Sequence, residues 1–92
     1  MSVYFGNTIT RDDLTAILAD DTIVLVISSG EIHPRIKTEL EGRNIESIGS
    51  CSKEAIMEMK DELSCYDSDN PKETITLCKE IIRRVREVSL RD

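Results

Sequence analysis

The segment Thr22-Ile23-Val24-Leu25-Val26-Ile27-Ser28 is β-branched, apolar without a break at its centre, and too short for a helix. Strands with this pattern are covered on both faces, as in parallel sheets flanked by helices. A sheet with one wet face would alternate apolar and polar side chains instead. Residues 22–28 are therefore expected to form a buried strand in the interior of a sheet.

Around it, apolar residues recur at helical spacing in four places. Thr10-Arg11-Asp12-Asp13 is a helix start: Thr10 can cap, and Asp12 and Asp13 sit in the positive first turn. Ile9 and Leu14 have the spacing of a hydrophobic staple. Leu14, Ile17 and Leu18 share a face, and the helix should stop near Asp20-Asp21. Pro34 suits the first turn of a second helix, with Ile36 and Leu40 four apart, Ile32 extending the stripe, and Gly42 and Asn44 as terminators. Ser50 or Ser52 caps a third, in which Ala55, Ile56, Met59 and Leu63 fall together. Asn70-Pro71-Lys72-Glu73 supplies a capping Asn, a Pro at the first helical position and a capping-box Glu. The helix it opens is the longest, with Ile75, Cys78, Ile81, Ile82, Val85 and Val88 recurring at threes and fours. Val3-Tyr4-Phe5, closed by the turn signal Gly6-Asn7, predicts a short first strand, residues 45–49 a weaker third strand, and residues 64–70 a loop.

The order β-α-β-α-β-α-α predicts an α/β fold: a small three-stranded, mostly parallel sheet flanked by helices, with residues 1–92 as a single domain. Strand order does not follow from the pattern, and the first strand is short enough to be an edge or to run antiparallel.

Composition narrows the function classes. Aromatic residues are only 3% of the chain, so the core is built from Ile, Leu, Val and Met. A core of this size gives modest stability, which makes self-association an expectation. The net charge is −6, and an acidic body argues against a large nucleic-acid footprint. The basic concentration at Arg83, Arg84, Arg86 and Arg91 reads as a solvated helix face near a C-terminus, where cations complement the helix dipole. Cys51, Cys65 and Cys78 are odd in number and far apart, with no C-x-x-C, which argues against a disulfide scaffold or a cysteine zinc site. The N-terminal residues lack the basic start and apolar run of a signal peptide, and the longest apolar run, residues 23–27, is far short of a membrane span. A cytoplasmic protein without metal or cofactor is expected.

Three small polar loops are expected at the carboxyl ends of the strands: Gly6-Asn7-Thr8, Ser28-Ser29-Gly30-Glu31 and Gly49-Ser50-Cys51-Ser52. Ligands gather at such ends, where helix N-termini present N–H groups. Asn7, Ser29, Gly30, Glu31, Ser50, Cys51 and Ser52 are the candidate ligand-binding residues, able to cradle an anion through backbone amides and serine hydroxyls. The same residue types also make turns and caps. Neither G-x-G-x-x-G nor G-x-x-x-x-G-K-[ST] is present.

Over residues 21–50, about a third of the chain, Ile27-Ser28-Ser29-Gly30-Glu31 resembles the sugar-phosphate isomerase (SIS) family, in which an apolar strand runs into a serine-rich loop. The resemblance implies serine contacts to a sugar phosphate. The chain lacks the family's fuller serine loop and the length for its larger sheet. The βα alternation is also similar to response-regulator receivers, but Ile48-Gly49-Ser50 stands where their phospho-acceptor Asp belongs.

Cys51 follows a strand at a helix start, a position that raises thiol reactivity. A phosphatase-like C-x-x-x-x-x-R fails, because position 57 is Met57. Cys78 belongs to the apolar face of the last helix. His33 directly precedes Pro34, which suits a cap; as a general base it would need partners such as Cys51 and Glu31. Asp67-Ser68-Asp69-Asn70 begins like a calcium loop, yet Lys72 stands at the sixth position and Cys78 at the twelfth. No catalytic constellation emerges, and whether the protein is an enzyme stays open. The expected function is a non-catalytic binding or assembly module, with a protein partner or a second copy meeting the last helix. The alternative is phosphate, anion or small-metabolite binding at the strand-end loops with weak enzymatic activity, and a third is a thiol role for Cys51.

Overall fold

The computed structural model describes residues 2–65 and 70–91. The Asp67-Ser68-Asp69 stretch compared with a calcium loop lies outside the described residues, as does the Arg91 side chain. The elements follow the expected order: β1 (Ser2–Gly6), α1 (Arg11–Leu18), β2 (Ile23–Ser28), α2 (Pro34–Glu41), β3 (Glu46–Ile48), α3 (Lys53–Ser64) and α4 (Pro71–Arg91). The strands form one parallel sheet in the order β1-β2-β3. The first strand is thus a parallel edge and the apolar strand is central. The residues group into two compact units, 1–51 and 52–92.

In the first unit, Leu25, Val26 and Ile27 have no accessible surface. Consecutive side chains on a strand point to opposite faces, so burial of all three is what an uninterrupted apolar run encodes. Ser2 lies opposite Ile23 but Val3 opposite Leu25, leaving Val24 as one extra residue on β2. Such a bulge switches the side-chain phase. Ile23 thereby joins Val26 in a cluster with Ile9, Leu14 and Ile17 from around α1 and Ile36, Leu40 and Ile45 from around α2. Both helices therefore pack on one face, as two right-handed crossovers in a 1-2-3 sheet require.

Local chemistry sets the helix ends. Thr10 Oγ1 accepts from Asp13 N–H (3.2 Å), while Asp13 Oδ2 accepts from Thr10 N–H (2.9 Å), a reciprocal capping box. Ile9 and Leu14 are both buried beside it, as the staple spacing predicts. Pro34 opens α2, and the two expected terminators divide its closure between them. Gly42 has φ −62°, so it continues the right-handed turn, and Asn44, with φ 59°, takes the left-handed position. Asn44 N–H donates to Glu41 C=O and Ile45 N–H to Leu40 C=O, both at 3.0 Å. This is a Schellman closure with Ile45 and Leu40 as its apolar pair. Ile45 is recruited to the helix end, so β3 begins at Glu46 rather than Ile45, and it spans three residues where 45–49 is expected.

In the second unit, Ser52 rather than Ser50 caps α3, its Oγ accepting from Ala55 N–H (3.2 Å). Helix α3 reaches Ser64, so the loop expected from residue 64 begins later. Ala55 and Met59 are buried, while Ile56 and Leu63 keep partial exposure. Asn70 Oδ1 accepts from Lys72 N–H (3.0 Å) at the start of α4. Cys78 and Ile81 are fully buried, Ile75, Ile82 and Val85 partly so, and Val88 is 61% exposed. The apolar stripe of α4 therefore loses its cover towards the C-terminal turns. Arg84 pairs with Glu62 of α3 at 3.0 Å, and Arg83 with Glu87 at 3.9 Å. Both guanidiniums are solvated, in keeping with a polar helix face. Among the described residues, no helix is long and apolar enough to cross a membrane.

Candidate functional site

Within the first unit, the three strand-end loops meet in one hydrogen-bonded junction. Gly6 C=O accepts from Ser29 N–H (3.1 Å) and Asn7 C=O from Gly30 N–H (2.8 Å). Gly30 C=O in turn accepts from Ser50 N–H (2.9 Å), and Ser28 C=O from Cys51 N–H (3.0 Å). These bonds carry the ladders of the sheet past the ends of the strands.

Ser28 is the knot. Its side chain has no accessible surface, and Oγ lies 2.8 Å from Asn7 O and 2.9 Å from Gly30 O. A hydroxyl has one proton to donate, so the two carbonyls share it, and the loop after β1 and the turn that follows β2 are both tied to the end of β2. Ser29 Oγ donates to the Asn7 side-chain Oδ1 at 3.2 Å, adding a second tie on the outside.

Two glycines allow the close approach. A Cβ on Gly30 would lie 3.0 Å from Asn7 O, and one on Gly49 would lie 3.1 Å from Ile32 N and 3.2 Å from Gly30 O. Ser50 follows with φ 56°, a left-handed conformation that glycine adopts far more readily than serine. It turns the chain so that the next amide, Cys51 N–H, reaches back to β2.

This junction brings together Asn7, Ser29, Gly30, Ser50 and Cys51, five of the seven candidate residues. It also engages four of the backbone amides that an anion cradle could use. The amides of Ser29, Gly30, Ser50 and Cys51 each donate to a carbonyl, and each has a single proton. Glu31 is exposed and makes no side-chain hydrogen bond or ion pair among the described residues. Ser52 belongs to the second unit, where it caps α3.

The nucleophile and base candidates are held structurally. Cys51 is buried, with Sγ 3.8 Å from Ile48 O and 3.9 Å from Gly49 O, weak thiol contacts to backbone carbonyls. His33 is the N-cap of α2, and its Nδ1 accepts from Arg35 N–H (3.1 Å). That is the side chain's one hydrogen bond among the described residues, and it commits the Nδ1 lone pair to the helix end. Cys78 is fully buried and Cys65 is the exposed C-cap of α3.

The perturbed acids are likewise parts of caps and turns. Asp13 is held below the ordinary carboxyl range by the Thr10 N–H first, then by the Tyr4 hydroxyl and the Thr10 hydroxyl. Tyr4, donating to Asp13 Oδ1 at 2.9 Å, is raised by that bond, by burial and by the carboxylate's charge. Asp20 is lowered by the Thr22 hydroxyl (2.6 Å) and the Thr22 N–H (2.9 Å). This Tyr4–Asp13 bond joins β1 to α1 and is invisible to local pattern, because nothing in the strand marks its partner nine residues on.

Among the described residues, no group of three or more His, Cys, Asp or Glu side chains could hold a metal ion. A hollow of about 200 Å³ at the amino ends of β2 and β3 is lined by Ile17, Ile23, Ile45, Asp20, Asp21 and Arg43, at the opposite end of the strands from the predicted loops. Its size is below that of ordinary ligand pockets. Compared with known proteins, the chain matches no family model, no curated protein and no solved structure.

Proposed function

We propose that the protein is a non-catalytic binding or assembly module that acts by contact with a protein partner or a second copy of itself. The observation that carries this reading is the strand-end junction: the amides of Ser29, Gly30, Ser50 and Cys51 and the Ser28 hydroxyl are all occupied in joining three loops. An α/β sheet that binds a small anion at this edge keeps such donors directed at the ligand. Here four of those amides donate to carbonyls of the neighbouring loops, which supports the contact reading over an anion cradle. Apolar surface remains elsewhere, at Met57, 68% exposed on α3, and at Val88 on α4. Exposed apolar side chains on helices are the usual material of protein contacts, although single ones are also common on free surfaces. No disulfide joins the three cysteines, which suits a reducing compartment such as the cytoplasm.

The test combines two measurements on the full chain. Sedimentation over a concentration series is expected to show reversible self-association that weakens in Val88→Glu. Titration with inorganic phosphate, followed by amide NMR, is expected to leave Gly30 and Ser50 unmoved. A strict monomer whose Gly30 and Ser50 amides shift saturably with phosphate would overturn the proposal in favour of an anion site at the strand ends.

A further inference from the structure

We draw no further inference here: the strongest candidate, the groove of about 440 Å³ that Arg11, Pro34, Arg35, Thr38 and Glu39 line between the start of α1 and the length of α2, is built from exposed side chains of two eight-residue helices, and no buried polar side chain aimed into it marks a ligand.

Discussion

Gly42 and Asn44, the two terminators that composition offers, take different parts in closing α2. Glycine is the default terminator of a helix, yet Gly42 sits at φ −62° with right-handed geometry, and Asn44 makes the left-handed turn. A Cβ on Gly42 would meet Glu39 O and Thr38 O only at ordinary contact distances of 3.5 and 3.6 Å. Gly42→Ala is therefore expected to stabilise the protein by about 0.5–1 kcal/mol, through helix propensity and a less flexible unfolded chain. Asn44→Ala should destabilise it by about 1 kcal/mol, because the short polar side chain of asparagine can hydrogen-bond locally and so tolerates positive φ, whereas alanine has no such compensation. Urea midpoints of the two variants, moving in opposite directions, check the assignment; a gain from both would remove it. Serines divide in the same way. Ser28→Ala takes away a buried, shared hydrogen bond and is expected to cost about 1–2 kcal/mol. Ser47 Oγ is buried with no hydrogen-bond partner among the described residues, so Ser47→Ala should be neutral or stabilising in the same assay. Sequence alone treats these two as equivalent small polar residues near strand ends, because the difference lies in which carbonyls surround each hydroxyl.

At the scale of elements, the start of α1 was legible because its signals are local. Thr10 caps, Asp13 lies three residues on, and Ile9 and Leu14 close the staple, all within one turn of chain. What local pattern misses is that Tyr4 of β1 completes the box by donating to Asp13. This bond gives the element a pH signature. The folded-state value of Asp13 is lowered, so its contribution is fully present above the unfolded carboxyl value of about 3.9 and is lost as pH falls through the lower folded value. Tyr4 is raised, so its contribution is complete below the ordinary phenol value of about 10 and is lost as pH rises through the higher folded one. The stability advantage of the wild type over Asp13→Asn is thus expected to be constant near neutrality and to shrink below about pH 4. Denaturant melts at a series of pH values measure it. An advantage that persists unchanged in strong acid would show that the carboxylate's charge is not what holds the cap. Strand β3 teaches the converse lesson. Ile45 and Ile48 looked like strand residues, but Ile45 closes α2, and the end of a helix competed successfully for a residue that β-propensity assigned to the sheet.

For the molecule as a whole, the alternation of strands and helices was readable because each period is written within a few residues, and the uninterrupted apolar run marked the central strand. The strand-end junction was not readable, since its bonds join residues about twenty positions apart, such as Ser28 with Asn7 and Ser50 with Gly30. The same Gly-Ser-Asn loops can cradle an anion or bind each other, and only the direction of the amides separates the two. That direction has a measurable consequence. Amides held between loops exchange with solvent only when the loops part, whereas amides lining an open cradle exchange freely. In the wild type, Gly30, Ser50 and Cys51 N–H are expected to be protected in hydrogen exchange to a degree comparable with the amides of β2. Gly49→Ala introduces a Cβ that would lie 3.1 Å from Ile32 N and 3.2 Å from Gly30 O, both backbone atoms with little freedom to yield. It should destabilise the protein by about 1–3 kcal/mol and raise exchange at Ser50 and Gly30 more than at residues within α1. A wild type whose Gly30 and Ser50 amides exchange at unprotected rates would mean that these donors face solvent, and the edge would again be available to an anion.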